Sequence, residues 1–69
     1  MELTAILTPA NEGGYVAYNP ETGTTTQGEN IEEALINLRK ATELYLEEFP
    51  LTHTEKRAFL TTFQVASYA

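Results

Sequence analysis

The chain has 69 residues, with ten Glu against four Lys and Arg for a net charge of −6, and it contains no Cys. That length sets one domain with a thin core, for which oligomerisation is a common source of extra burial. Absence of cysteine excludes a disulfide framework and a thiolate metal site, and Arg39, Lys40, Lys56 and Arg57 are too few to carry a nucleic-acid interface.

No apolar run approaches the roughly 20 residues of a membrane span, and MELTAIL lacks the basic start of a signal peptide. A soluble cytoplasmic protein with no membrane contact is expected. From Glu2 to Thr8 the residues alternate, with Leu3, Ala5 and Leu7 on one side and Thr4, Ile6 and Thr8 on the other, which predicts a first strand. Pro9 to Gly14 is turn chemistry. Tyr15 to Asn19 is a β-branched and aromatic second strand, so the two form a hairpin. Pro20 to Gly23 is a second turn, and Thr24 to Gln27 a polar third strand suited to an edge.

Gly28 releases the chain into the only segment with sustained helical periodicity, Asn30 to Phe49. Ile31, Ala34, Leu35, Leu38, Ala41, Thr42, Tyr45, Leu46 and Phe49 share one side of it. Asn30 is placed as N-cap with Glu33 in the capping-box position, and Pro50 ends the helix. Such a helix spans about 28 Å. Leu51 to Arg57 reads as polar and irregular, with one helical turn possible at Thr52 to Glu55. Ala58 to Tyr68 reads as a last strand, apolar on both faces. The predicted order is therefore βββαβ, an α+β domain with a small antiparallel meander, one covering helix and a final added strand.

Residue chemistry gives no catalytic constellation. His53 is the single histidine, and it lies between threonines in a polar loop. Glu32-Glu33 and Glu47-Glu48 are adjacent on a helix and diverge by about 100°; Glu43 and Glu47 share a face beside solvent. The glycine pair Gly13-Gly14 makes a hairpin rather than opening a helix, unlike a phosphate-binding loop. No base stands near any of the eleven threonines. No enzyme activity, metal or cofactor is expected.

Two features do not fit an isolated monomer. Ile36 and Leu44 point away from the core side of the helix, and Tyr15 to Tyr18 put apolar groups on both faces of a sheet that one helix covers on one face only. Tyr15, Ile36, Leu44 and Tyr68 are therefore the expected oligomer contacts, in a homodimer or larger assembly.

Taken together, Gly13 to Ala17, Pro20-Glu21, Gly28, Glu32 to Leu35, Asn37-Leu38, Glu43 to Leu46 and Thr61 to Val65 resemble, in that order, the N-terminal domain of the HicB-like antitoxin family. The match covers Met1 to Phe49 well and the remainder loosely. It departs from the family where Thr22-Gly23-Thr24 replaces a common Pro-Gly-Cys or Pro-Gly-Val. The resemblance implies a partial ribonuclease H-like fold without its catalytic acids. It also implies a partner, a small basic HicA-type toxin that cleaves RNA and whose active surface the antitoxin masks. Residues 1–69 are expected to be a single HicB-like domain without the C-terminal DNA-binding domain that longer family members carry, so no direct nucleic-acid binding is expected.

Acidic surface should meet a basic partner. The candidates are Glu12 and Glu21 at the turns and Glu43, Glu47 and Glu48 on the late helix, with Tyr18 as the aromatic anchor. The alternative is an orphan oligomeric domain that binds a small ligand or serves a structural role.

Overall fold

The computed structural model describes residues 1–51 and 57–67. Its elements are β1 (Ile6–Pro9), β2 (Tyr15–Tyr18), β3 (Thr25–Gly28) and α1 (Ile31–Glu48). The strands form an antiparallel sheet in the order β1-β2-β3. Its register sets Leu7 opposite Ala17 and Ala17 opposite Thr26. Because side chains alternate along a strand, these three residues share the face that α1 covers, whereas Ile6, Thr8, Val16, Tyr18, Thr25 and Gln27 share the other.

The hairpin between β1 and β2 closes with Gly13 and Gly14 at φ of 101° and 76°, a region costly for residues with a Cβ. The Ala10 N–H donates to the Gly14 carbonyl at 3.0 Å. Gly28 has a different reason to lack a side chain: a Cβ there would meet the Ala34 backbone nitrogen and come within 2.8 Å of its Cα. The first turn of α1 therefore lies almost directly on the end of β3.

Asn30 caps α1 as expected, its Oδ1 accepting from the Glu33 N–H at 2.8 Å. Glu33 reaches back one residue further than a capping box requires and accepts from the Glu29 N–H at 2.6 Å. At the other end Phe49 is the C-cap, and its N–H donates to the Tyr45 carbonyl.

The core is small. Ala17, Ala34 and Leu38 are buried, with Ala5, Leu7 and Tyr15 packed around them. On α1 the buried stripe is Ala34, Leu38 and Thr42. Ile31, Leu35, Tyr45 and Phe49, expected on the core side, are instead substantially exposed. The reason is geometric. Strands of four residues span about 13 Å, while 18 helical residues span about 27 Å. The helix sits over β3 and β2, so its late turns overhang the sheet and its flank toward β1 is uncovered. Tyr45 and Phe49 stack on each other there, with ring centroids 5.1 Å apart.

Of the expected final strand, Ala58 to Tyr68, the described residues 58–67 form no strand. Residues 57–67 join no ladder, and from Phe59 to Ser67 every residue is exposed. A strand apolar on both faces needs a layer on each side as well as an edge; the chain has open sheet edges at β1 and β3 but one helix, on one face, and residues 57–67 pair with neither edge. Tyr68, His53 and the helical turn expected at Thr52 to Glu55 lie outside the described residues. Among the described residues, no helix is long and apolar enough to cross a membrane.

Candidate partner-binding surface

The turn that follows β2 is built on one side chain. Asn19 is almost wholly buried. Its Oδ1 accepts from the Thr22 N–H at 2.9 Å and the Thr22 hydroxyl at 2.6 Å. Its Nδ2 donates to the Thr4 carbonyl and to Glu21 Oε1, both at 2.7 Å. The Asn19-Pro20-Glu21-Thr22 sequence carries the signal for this, since an Asn side chain readily accepts from backbone a few residues on. Because Asn19 and Glu21 satisfy Thr4, the β1–β2 ladder starts at Ile6 and not at Glu2.

Glu21 is consequently not a free surface charge. Its oxygens accept from the Thr4 N–H at 2.9 Å, the Thr4 hydroxyl at 2.8 Å, Asn19 Nδ2, and the Ala58 N–H at 2.6 Å. Partial burial pushes its pKa up, but the backbone donors at Thr4 and Ala58, with the side chains of Thr4 and Asn19, outweigh this and lower it to about 2. Glu21 fastens the N-terminal run, the turn after β2 and the start of the C-terminal segment to one another.

The remaining acidic residues do not converge with Tyr18. Glu12 is exposed on the β1–β2 turn. There it borders an open cavity of about 510 Å³ together with Glu29 and Glu33 from the start of α1. The Tyr15–Gly28 pairing puts that turn beside the helix N-terminus, a proximity that sequence spacing does not show. Glu43, Glu47 and Glu48 are exposed on the overhanging end of α1, with Glu43 3.4 Å from Arg39. Tyr18 lies on the opposite layer. It is 40% exposed and sits across from Ile6 and Thr25 on the sheet face away from the helix. The structure thus separates an apolar patch, Ile6, Val16 and Tyr18, from the acidic residues around it.

The expected oligomer contacts separate in the same way. Tyr15 packs against the core on the helix side. Ile36 and Leu44 stand on the outer surface of α1, 55% and 66% exposed.

A second cavity, of about 530 Å³, opens between residues 1–5 and the uncovered flank of α1. It is lined mainly by apolar groups, among them Leu3, Ala5, Leu35, Leu38 and Leu46. Among the described residues, every buried polar side-chain atom has a hydrogen-bond partner, so none is left aimed at a ligand. Also among them, no three His, Cys, Asp or Glu side chains are grouped to share a metal ion.

No model of a known protein family matches the chain, and no solved structure matches it. Among curated proteins, it is similar to the UPF0150 protein ssl0738 of Synechocystis sp., 46% identical over 48 residues, which are 68% of this chain and 67% of the relative. With that identity across two thirds of both proteins, the chain belongs to the UPF0150 family.

Proposed function

We propose that this protein is an antitoxin-type interaction module that binds and masks a small basic protein of the HicA type, which cleaves RNA. The observation that carries this reading is the uncovered sheet face. It presents Ile6, Val16 and Tyr18 side by side, on a chain of net charge −6, with no element over it among the described residues. An aromatic group on an open apolar patch of an acidic chain suits a basic partner: the patch supplies buried area, and the net charge supplies attraction at a distance. Two further points support the reading. The UPF0150 relationship agrees with the ordered HicB-like motifs of the sequence, and the βββα arrangement is consistent with the first four elements of the domain those motifs imply. In this reading the chain catalyses nothing itself and acts in the cytoplasm by covering its partner.

The test needs a small basic protein whose reading frame neighbours that of this chain, and finding one is its first step. Stoichiometric addition of the chain is expected to abolish that protein's RNA cleavage. Tyr18→Ala is expected to raise the dissociation rate by about tenfold or more while leaving the thermal midpoint close to that of the parent, because Tyr18 lies outside the core. Undiminished cleavage in the presence of excess chain would overturn the proposal.

A further inference from the structure

Ala58 is fixed to the body through Glu21, and the Thr4 hydroxyl stands 3.5 Å from its carbonyl. Beyond that anchor the chain leaves the surface. Phe59 is 88% exposed and Phe63 82%, with Leu60 and Val65 also among the exposed apolar residues. The radius of gyration is 14.0 Å, against about 11 Å for a compact chain of this length, in keeping with a projecting arm. Four large apolar side chains within seven residues are an unstable thing to hold in water, at about 25 cal/mol for each Å² left uncovered.

The body has a matching vacancy. β1 is an edge strand whose outer backbone groups face no neighbour in the sheet. Beside it runs the apolar groove of Leu3, Ala5, Leu35, Leu38 and Leu46, and no residue of the arm lines it. Residues 59–66 in extended form reach about 26 Å, enough to follow residues 3–9.

We propose that the arm of one molecule pairs with the β1 edge of a second copy and fills its groove, the two copies exchanging arms across a two-fold axis. The apolar faces of Phe59 and Phe63 would close the groove, and the arm's backbone would complete the ladder that β1 leaves open. Reciprocal exchange closes the assembly at two copies. Charge agrees with a second copy as the occupant. Two chains of −6 repel, but residues 58–69 contain no charged side chain, so the docking element brings no repulsion into the interface. The added strand would also be the fourth strand that the sequence pattern calls for, supplied in trans. This inference does not depend on the proposed function.

The chain has no cysteine, so introduced thiols report cleanly. One variant carries Thr8→Cys on the β1 edge and another Gln64→Cys on the arm. The two are unfolded together, refolded as full-length chains, and treated with a short bis-maleimide at micromolar concentration. A covalent product of twice the chain mass joining the two different variants is the expected result. In a chain bearing both substitutions, a link confined within one chain would show that the arm lies on its own edge, and would overturn the proposal. Absence of any link between chains would overturn it equally. As an independent measurement, Phe59→Ser/Phe63→Ser should weaken dimerisation, read by sedimentation, on the order of 100-fold or more. The helical circular dichroism should remain, because neither residue belongs to the core. A double variant that stays dimeric at the parent's concentration would also overturn the proposal.

Discussion

Glu21 shows how one carboxylate can fix the geometry of a domain too small to rely on its core. Two backbone N–H groups, one hydroxyl and one amide converge on its two oxygens, and hydrogen bonds to an ionised acceptor are among the stronger ones. The folded pKa of about 2 lies below the ordinary 4.5, so ionisation favours the folded state. The resulting stability is fully present above about pH 5 and is lost as the pH falls through 4.5 toward 2. Glu21→Gln keeps the shape but replaces one acceptor oxygen with an NH₂ that faces other donors. We expect it to lower stability at pH 7 by about 1–2 kcal/mol. The gap between parent and variant should narrow as the pH is taken from 5 to 2.5, in urea titrations at each pH. A gap independent of pH would mean that the charge of Glu21 does not contribute. Nothing in the sequence singles out Glu21 for this role. Pro-Glu reads as a turn, and the Thr4 and Ala58 donors lie 17 and 37 residues away.

Among the elements, the local signals were legible and the relative placements were not. Asn30 and Pro50 bracket the helix at both ends because capping and proline chemistry act within one turn. The change of hydrophobic period at Gly28 divides sheet from helix, and the three strands fall where alternation and turn residues put them, to within a few residues at their ends. The burial of Leu35 or Phe49 depends instead on where the helix sits over the sheet and how far it overhangs, which no window of the sequence contains. For the same reason no window of the sequence shows that the layers of the fold put Tyr18 and Glu47 on opposite sides. The Ala58 to Tyr68 pattern is that of a strand, yet a strand apolar on both faces needs cover on each side as well as an edge, and the chain offers open edges at β1 and β3 with a helix on one face only.

The tightest placement is that of Gly28 against Ala34. Gly28→Ala would drive a Cβ into helix backbone, which cannot rotate aside as a side chain could. The first turn of α1 would have to lift from β3, a cost of about 1–3 kcal/mol or more, which lowers the thermal midpoint of a domain this size by about 5 °C or more. Gly13→Ala is the comparison. A Cβ there meets nothing within 4 Å, so only the φ of 101° opposes it. Equal losses at the two sites, measured by thermal denaturation, would show that the close approach of helix and strand is not what Gly28 serves.

For the whole molecule, charge and apolar surface are divided between layers, and that division separates how a partner arrives from how it stays. Glu43, Glu47 and Glu48 stand on exposed helix, and the 3.4 Å ion pair of Glu43 with Arg39 joins side chains that are 63% and 80% exposed. Exposed charges of this kind contribute little to a formed contact, since water and salt screen them over about 8 Å at physiological ionic strength. They do shape the field through which an oppositely charged protein diffuses, and so act on the association rate. Tyr18, on the other layer, has the area and the setting to hold a complex once formed. If the basic partner binds as proposed, Glu43→Gln/Glu47→Gln should slow association several-fold at about 20 mM salt and almost not at all at about 0.5 M, with the dissociation rate unchanged. Tyr18→Ala should do the converse, speeding dissociation at both salt concentrations. Stopped-flow association and surface-based dissociation measurements with the two variants distinguish these outcomes. A Glu43→Gln/Glu47→Gln complex that dissociates faster at high salt would place the late helix inside the interface. The sheet face would then not be the contact surface, and Tyr18→Ala should leave both rates unaltered.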